Sequence, residues 1–312
     1  MRVVFLGTPE FAVPSLQALS AKHEIVAVFT QPDRPKGRGN QVAQSAVKMA
    51  ATALGLPVYQ PERIRRPEVV EQLKNFNPDL MVVVGYGQII PQTIIDIPKH
   101  GILNVHASLL PKYRGAAPIQ WAIANGESET GVTIMQIDAG LDTGDMLLQE
   151  RVRIGPDETA PEVSARLAPL GATLLLEAIA QMEAGRIHRE KQNDAEATHA
   201  PILKKEDGRI EWTQPATRIY NRLRGFTPWP GAYATFRDQQ LLVVRARLAD
   251  HSSGALSPGI LRVDKRRLFA GCGDNTVLEL LEVQPAGKKR MQADAFLNGY
   301  KISDNERLGE QN

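Results

Sequence analysis

The sequence predicts an α/β protein with a Rossmann-like, mostly parallel sheet domain followed by a small OB-like β-barrel domain. In the first half, short apolar runs alternate with amphipathic helical stretches, the pattern of a parallel sheet covered by helices. After about residue 205, short β-type runs are separated by Gly, Asp, Asn and Pro, as in a small antiparallel barrel. A chain of 312 residues is long enough for two domains. We therefore expect an α/β domain at 1–188, a polar linker at 189–203 and a barrel domain at 204–312.

The individual elements follow from local patterns. Residues 80–84 are all apolar, which is typical of a strand buried on both faces of a parallel sheet. A long helix is expected at 159–184, where Thr159 can cap the start, Gly185 can end it and Pro169 predicts a kink or an interruption. The other predicted strands are 2–6, 24–29, a short one near Val58, 101–105, 132–137, 232–236, 241–246, 259–263 and 277–283. The other predicted helices are 14–19, 43–54 and 68–76.

Composition excludes several classes of protein. A hydrophobic content of 43% is too high for a disordered chain. The longest apolar runs are far shorter than the roughly 20 residues that a membrane span needs, and residues 1–7 lack the features of a signal peptide. Cys272 is the only cysteine, so no intrachain disulfide can form. We expect a cytoplasmic protein that does not associate with membranes.

Charge is distributed unevenly along the chain. Residues 1–199 carry 19 Lys and Arg against 22 Asp and Glu, whereas residues 200–312 carry 18 against 13. A basic C-terminal segment on a nearly neutral body indicates a polyanionic partner. The alternative is an ordinary solvated basic surface.

Two kinds of site are disfavoured. Gly7 is the only glycine of a dinucleotide-binding fingerprint in the first strand-to-helix turn, and no acidic residue ends the second strand. A dinucleotide-dependent redox enzyme is therefore not expected. The six histidines show neither His-x-x-x-His spacing nor a pairing with cysteine, so we expect no metal site.

Polar residues at the end of one predicted strand are the first candidates for chemistry. Asn104 and His106 are two residues apart, so in an extended chain they point to the same face. Such groups at the end of an apolar strand are costly unless they are paired or used. Residues 131–145 form a second strand and a glycine-containing loop with three aspartates, one of which would orient the His106 ring. Taken singly, each residue is more typical of a cap or a turn than of a catalytic site.

Together these segments resemble a known family. Asn-x-His-x-Ser-Leu-Leu-Pro-x-Tyr-Arg-Gly at 104–115 and Gly-Val-Thr-Ile-x-x-x-Asp-x-Gly-Leu-Asp-Thr-Gly at 131–144 resemble formyltransferases that use 10-formyltetrahydrofolate. Motifs at 7–12, 30–39, 114–120, 209–212 and 228–232 narrow the resemblance to the methionyl-tRNA formyltransferase family. It covers nearly the whole chain. The family's fold, a Rossmann-like domain joined to an OB-like barrel, agrees with the organisation predicted above.

The resemblance implies an activity and a set of site residues. The reaction is transfer of the formyl group of 10-formyltetrahydrofolate to the α-amine of methionyl initiator tRNA, with Asn104, His106 and Asp142 as the catalytic trio. Such a transfer needs donors for an oxyanion, which Asn104 and His106 can supply, while Asp142 orients His106 and assists proton movement. The implied folate contacts are Ser108, Leu109, Leu110 and Pro111, together with the pterin-pocket loop Gly85, Tyr86, Gly87, Gln88, Ile89 and Ile90. Folate is a cosubstrate, and no metal is implied.

The basic loop at 34–39 decides the substrate class. By itself it is equally consistent with a solvated turn, but the resemblance implies that Arg34, Lys36 and Arg38 enter the acceptor end of tRNA. Arg38 is the candidate for a specific contact and Lys36 for a phosphate. Many family members continue with further lysine and Pro-Ser-Pro-Val-Lys, whereas residues 40–48 here carry only one basic residue. We expect this departure to weaken the contact without abolishing it.

Basic residues of the C-terminal segment are expected to hold the tRNA backbone without reading its sequence. Their alternative role is that of ordinary solvated charges on a folding partner. The candidates are Arg218, Arg222 and Arg224 in a possible helix and Lys288, Lys289 and Arg290 on a later loop.

Three other functions compete with this interpretation: a sugar-nucleotide or ribonucleotide formyltransferase, a formyltetrahydrofolate hydrolase or dehydrogenase module, and a non-catalytic tRNA-binding protein. The first requires neither the basic loop nor a basic barrel, and both are present, whereas in the second water replaces the amine. The intact Asn104, His106 and Asp142 argue against the third. The sequence implies no obligate protein partner, and we expect a monomer.

Overall fold

The computed structural model describes residues 1–36, 41–250, 256–303 and 305–309, without the side chains of residues 35, 36, 41 and 42. The chain divides into two compact units. Unit 1 comprises Met1–Ile119, Glu129–Arg153 and Glu162–Ile202, and unit 2 comprises Gln120–Ser128, Ile154–Pro161 and Leu203–Asn312. The segment 189–203, expected as a linker, therefore lies almost entirely within unit 1.

Unit 1 is built on a seven-stranded sheet with the order β10-β9-β7-β6-β1-β2-β5. The strands β5, β2, β1, β6 and β7 pair in parallel, whereas β9 and β10 are antiparallel. This arrangement confirms the predicted Rossmann-like class. The strands of unit 1 are β1 (Arg2–Gly7), β2 (Glu24–Phe29), β3 (Arg34–Lys36), β4 (Gln41–Ala43), β5 (Val58–Tyr59), β6 (Leu80–Val84), β7 (Ile102–His106), β8 (Arg114–Gly115), β9 (Glu129–Gln136), β10 (Met146–Arg153) and β11 (His199–Ala200).

The order of the strands defines where a ligand would bind. From β1 the chain moves outward through β2 to β5 and then returns to β6 on the other side of β1. Such a reversal leaves a crevice at the carboxyl ends of the central strands, the usual ligand position in open α/β sheets. The loops that follow β1, β2 and β6 meet there, because Thr8 Oγ1 and Gln31 Nε2 both donate to Tyr86 O, at 3.1 and 3.0 Å.

The helices are α1 (Val13–Ser20), α2 (Ala46–Ala53), α3 (Pro67–Asn75), α4 (Gln92–Ile95), α5 (Pro118–Ala124), α6 (Ala160–Glu183), α7 (Ala216–Gly225) and α8 (Ala293–Gly299). The helix α6 continues through Pro169, so of the predicted kink or interruption the interruption does not occur. It runs close to the sheet: a Cβ on Gly171 would lie 2.8 Å from Val105 Cγ1. Of the helices in the described ranges, only α6 is long and apolar enough to span a membrane, a criterion that core helices also meet. Half of its apolar window is buried.

The segment 34–39, predicted as a basic loop, begins with one strand of a two-stranded ribbon. β3 and β4 pair antiparallel, with Arg34 opposite Ala43. Because this segment contains proline and charged residues, it lacks the alternation of apolar and polar residues by which a strand is recognised in a sequence. Residues 37–40, which connect the two strands, lie outside the described part of the chain.

Unit 2 contains a six-stranded antiparallel sheet with the order β12-β13-β16-β15-β14 and β17 beside β16. Its strands are β12 (Ala232–Phe236), β13 (Gln239–Leu248), β14 (Leu261–Asp264), β15 (Arg267–Gly271), β16 (Val277–Pro285) and β17 (Met291–Gln292). The tail links the two ends of this order, since Glu306 O accepts from Leu261 N of β14 and Gly309 N donates to Thr235 O of β12. The strand β15 escaped sequence interpretation because its hairpin turns at Lys265 and Arg266, which have positive φ but are not typical turn residues.

Candidate active site

The candidate site begins at the end of β7. Asn104 and His106 are only 8% and 5% exposed, and both occupy the same side of the strand, as the two-residue spacing predicts. Asp142 lies in the loop between β9 and β10, where its φ of 53° is in the left-handed region. The loop places its carboxylate against the two β7 side chains. The structure therefore brings the three predicted catalytic residues together.

The Asp142 carboxylate is held from two directions. Its Oδ2 accepts from Gly115 N at 2.8 Å, and its Oδ1 accepts from Asn104 Nδ2 at 3.3 Å. The distance from Oδ2 to His106 Nδ1 is 3.7 Å, which is too long for a direct hydrogen bond and close enough for an ion pair when the ring is protonated. The second N–H of the Asn104 amide has no partner among the residues that the structure describes. This amide can donate to a reacting group while it stays attached to Asp142.

The orientation of the His106 ring is set by the backbone. Nε2 lies 2.9 Å from Tyr113 O, and because a carbonyl can only accept, Nε2 must carry a proton. Tyr113 has a φ of 62°, a left-handed conformation. Only Nδ1, on the side of Asp142, is left to exchange a proton or to donate to a substrate. In the neutral ring this nitrogen is an acceptor, and it becomes the predicted N–H donor only when both ring nitrogens carry a proton.

Gly115 is required by the geometry of the site. Its φ is 122°, and a Cβ at this position would lie 2.6 Å from Ala200 O. The close approach arises because β8 pairs in parallel with β11. The same approach directs the Gly115 N–H at Asp142, a contact that sequence reasoning did not identify.

A further set of residues supports the Asp142 loop from the segment expected as a linker. Gln192 Nε2 donates to Asp142 O and to Gly144 O, both at 2.8 Å. Its Oε1 accepts from Arg114 Nε at 2.9 Å, and Arg114 Nη2 donates to Asp194 at 2.7 Å. Arg114 is buried. No local signal marks Gln192, because it lies in a polar stretch without periodicity.

The segment with the predicted folate contacts Ser108, Leu109, Leu110 and Pro111 follows β7 directly. Ser108 is fully buried, and its Oγ donates to Lys112 O at 2.6 Å. Its own carbonyl accepts from Thr133 Oγ1. The hydroxyl is therefore engaged inside the protein, while Leu109 and Pro111 stay partly exposed.

The predicted pterin-pocket loop lies at the carboxyl end of β6. Gly85 and Gly87 have positive φ, and a Cβ on Gly85 would lie 2.9 Å from Pro9 Cγ. Burial raises the pKa of Tyr86, whose hydroxyl has no partner among the described residues. Ile89 is 88% exposed, and Ile90 is packed against the core of the sheet. Gly87, Gln88 and Ile89 line a cavity of about 380 Å³ together with Arg34, Arg63 and Arg65.

The residues predicted to contact tRNA differ in how exposed they are. Arg34 is exposed at the start of β3; Lys36 is described only by its backbone, and Arg38 lies outside the described residues. Arg218 is exposed on α7, whereas Arg222 is partly buried, stacks over Phe226 at 4.9 Å and donates to the carbonyl of residue 207. Lys288, Lys289 and Arg290 are exposed between β16 and β17.

Arg224 does not fit its predicted role. It is only 5% exposed, and its Nη1 donates to Gly155 O and Glu158 O at 3.1 and 3.0 Å. Burial lowers the pKa of this guanidinium. Arg218 and Arg224 are six positions apart, which places them roughly 120° apart around α7. A helix that exposes Arg218 therefore turns Arg224 inward, away from a phosphate.

Other reactive groups do not form a second centre in the described ranges. No group of three or more His, Cys, Asp and Glu residues there could hold a metal ion. Cys272 is buried, and burial raises its pKa to about 12. A thiol in this state is a poor nucleophile.

Comparison with known proteins places these features in context. Residues 1–179 match the family described as Formyl transferase, and residues 202–301 match Formyl transferase, C-terminal domain. The methionyl-tRNA formyltransferase of Solibacter usitatus is 59% identical over 311 residues, with 99% of each chain covered. The protein of that name from Koribacter versatilis is 57% identical, again over 99% of each chain.

A solved structure shows the same fold. WlaRD, a sugar 3N-formyl transferase crystallised in the presence of dTDP and 5-N-formyl-THF, has a TM-score of 0.68 to this chain. The match covers 93% of this chain and 99% of that protein at 19% sequence identity. This likeness extends the shared architecture across both units.

Proposed function

The chain belongs to the methionyl-tRNA formyltransferase family, and we propose that it formylates the α-amino group of methionyl initiator tRNA with 10-formyltetrahydrofolate. The product is N-formylmethionyl-tRNA, which serves translation initiation. Full-length relatives of 57–59% identity support this activity. The proposed catalytic roles of individual residues are based on one observation: Asn104, His106 and Asp142 lie together at the end of β7.

The chemistry is a direct acyl transfer. The neutral α-amine attacks the formyl carbon, the carbonyl oxygen becomes an oxyanion, and the bond from that carbon to the folate nitrogen then breaks. The amine loses one proton and the folate nitrogen gains one, so no oxidant, metal or covalent enzyme intermediate is needed. Donors that are already oriented toward the oxyanion lower the barrier because they need no reorganisation.

Asn104 and His106 have the geometry for this donor role. The second N–H of Asn104 and the Nδ1 atom of His106 both lie beside Asp142, and Nδ1 donates in the imidazolium form of the ring, since Nε2 already donates to Tyr113 O. Asp142 stabilises positive charge on the ring as negative charge develops on the substrate. The same carboxylate can relay the proton released by the amine, directly or through water.

The folate cosubstrate is proposed to bind between the loop after β6 and the segment after β7. Gly85 and Gly87 are exposed and carry no side chain, so a flat ring could approach the backbone at these two positions. Leu109 and Pro111 offer apolar contact, while Ser108 supports the segment from inside. WlaRD was crystallised in the presence of 5-N-formyl-THF, which agrees with folate binding on this fold.

The tRNA is proposed to meet two basic regions. Arg34, Lys36 and Arg38 belong to the loop expected at the acceptor end. The exposed Arg218 and the loop of Lys288, Lys289 and Arg290 are proposed to contact backbone phosphates, with Arg222 in a partly buried position. Arg224 is removed from this set because it is buried. We propose a cytoplasmic monomer.

The deciding experiment measures formyl transfer from 10-formyltetrahydrofolate to four acceptors: methionyl-tRNA, free methionine, an amino-sugar nucleotide and water. Transfer to methionyl-tRNA alone is expected. Equal or faster transfer to the amino-sugar nucleotide would establish the sugar-nucleotide alternative, and rapid hydrolysis would establish a hydrolase. The variant Asn104→Ala tests the proposed role of this side chain as an oxyanion donor. It is expected to reduce the rate of formyl transfer about 100-fold or more, the usual effect of losing such a donor.

A further inference from the structure

A threonine of β9 that the proposed function does not use lies beside the candidate site. Thr133 is directly opposite His106 of β7 and opposite Gln149 of β10, so the three residues form one row across the sheet. Thr133 is fully buried, and His106 is 5% exposed. A hydroxyl in such a position is costly unless its hydrogen bonds are made inside the protein.

The Thr133 hydroxyl makes its hydrogen bonds with the segment that follows β7. Its Oγ1 donates to Ser108 O at 2.7 Å and accepts from Leu110 N at 3.2 Å and Gln149 Nε2 at 2.9 Å. One donated and two accepted hydrogen bonds use the full capacity of a hydroxyl. Gln149 Nε2 also donates to Leu110 O at 3.1 Å. Ser108 and Leu110 are thus held against β9.

The same segment leads to the carbonyl that contacts the His106 ring. Ser108 Oγ donates to Lys112 O at 2.6 Å, and Lys112 N donates to Leu109 O at 3.1 Å. The chain therefore turns back within a few residues, and the next carbonyl, Tyr113 O, lies 2.9 Å from His106 Nε2. A displacement of Ser108 from β9 would move Tyr113 O relative to the ring.

The position of Tyr113 O decides which nitrogen of the neutral His106 ring carries the proton. With this carbonyl in place the proton is on Nε2, and Nδ1 is an acceptor on the side of Asp142. Because the ring is buried, water cannot readily replace a displaced carbonyl. The Asp142 carboxylate would then stabilise a proton on Nδ1, and the neutral ring could no longer accept a proton at that atom.

We propose that Thr133 is a positioning residue for formyl transfer, a proposal that rests on the proposed function. Its hydroxyl holds the segment after β7 in the conformation that keeps the proton of neutral His106 on Nε2. Nδ1 is then free to take up a proton and to donate it in the charged form of the ring. The sequence does not mark this role, because a threonine within an apolar strand is typical of any buried strand.

The first test is Thr133→Val, which keeps the shape of the side chain and removes the hydroxyl. At saturating substrates kcat is expected to fall about 10–100-fold, because a misplacement of about 1 Å can cost about 100-fold in rate. KM for methionyl-tRNA should stay nearly unchanged, since Thr133 is buried and does not contact this substrate.

The second readout is the tautomer of His106, measured by nitrogen NMR on protein with isotope-labelled histidine. The pH is kept above the range in which histidine usually titrates, so that the ring is neutral. The signals of His106 are assigned by their loss in His106→Asn. We expect Nε2–H alone in the unmodified protein and a mixture of both tautomers in Thr133→Val.

Thr130→Val is the matched control. Thr130 is a buried threonine of the same strand, and its hydroxyl has no partner among the residues that the structure describes. The same substitution there should change neither kcat nor the tautomer. Thr133→Ser and Thr133→Ala form a second pair that differs only in the hydroxyl, and this pair decides the question if Thr133→Val does not fold. The first should keep the Nε2–H signal and most of kcat, whereas the second should show both tautomers and the lower kcat.

Two results would overturn the proposal. One is an unchanged Nε2–H signal in Thr133→Val or Thr133→Ala, because the hydroxyl would then serve folding alone. The other is an equal loss of kcat in Thr130→Val. The tautomer signal does not depend on formyl transfer. The proposed function therefore fails separately, if the unmodified protein does not formylate methionyl-tRNA in the acceptor assay.

Discussion

Replacement of Gln192 by alanine tests how the site holds its carboxylate. The substitution removes both hydrogen bonds to Asp142 O and Gly144 O, and it leaves Arg114 Nε without an acceptor. Asp142 keeps its contacts with Gly115 N and Asn104. The loop should therefore stay folded but move, so that the carboxylate is displaced rather than lost.

The magnitude follows from these contacts. Each lost hydrogen bond costs about 1 kcal/mol, and the unsatisfied N–H of a buried arginine about 1–3 kcal/mol. Because Gln192 is only partly buried, water replaces part of this loss, and we expect about 2 kcal/mol less unfolding free energy. A displaced carboxylate is expected to reduce kcat by about 10–100-fold, which is about 1.4–2.7 kcal/mol of barrier.

The assay is formyl transfer to methionyl-tRNA under saturating conditions, with KM for both substrates and thermal unfolding. A positioning role predicts a fall in kcat with KM for tRNA nearly unchanged. Gln192→Glu keeps an acceptor for Arg114 but turns a carboxylate toward two carbonyl oxygens, so it should restore little activity. Gln181→Ala, on α6, is the control and should behave like the parent. If Gln192→Ala retained kcat within twofold, the loop would not depend on this side chain.

The remaining predictions concern His106 with Asp142, the basic loop, and Glu279, a buried carboxylate of β16 that accepts hydrogen bonds from Arg247 and Arg267. At 3.7 Å, the attraction between a protonated His106 and Asp142 is up to about 4 kcal/mol in a protein environment. The loss of kcat in the double variant, His106→Ala with Asp142→Ala, should therefore be at least about tenfold smaller than the product of the two single losses. Multiplicative losses would refute the coupling. Arg38→Ala should impair turnover on methionyl-tRNA while the affinity for folate stays unchanged. Lys36→Ala should weaken tRNA binding broadly and lower the slope of log affinity against log salt by about one unit or less. If Arg38→Ala reduced folate affinity as much as it reduced turnover, the loop would be wrongly assigned. Hydrogen bonds from Arg267 hold the pKa of Glu279 at about 2, below its usual 4.5, so its stabilisation is complete above about pH 4.5 and is lost as the pH falls toward 2. The unfolding free energies of the parent and Glu279→Gln should therefore differ by up to about 3 kcal/mol at neutral pH and converge in acid; a difference independent of pH would contradict this.

Local patterns in the sequence account for much of unit 1. The continuous apolar run of β6 identified a strand buried on both faces, and β2 and β6 were predicted with their observed bounds. The two-residue spacing of Asn104 and His106 predicted their common face. These features depend on the chain within a few residues of each position, so a sequence alone can report them.

Contacts between distant residues were decided by tertiary structure. Asp142 and Gln192 are fifty positions apart, and the linker-like segment is brought to the site by the pairing of β8 with β11 and by the bridge between Met146 and Glu190. Which face of α7 is buried depends on what packs against it, so the sequence could not show that Arg224 points inward. Arg247, Glu279 and Phe269 likewise become neighbours only when three strands of the unit 2 sheet are in register. Residue type and periodicity therefore determined the elements and the chemistry available to the site. Hydrogen bonding and burial across the assembled sheets decided which side chains can use that chemistry.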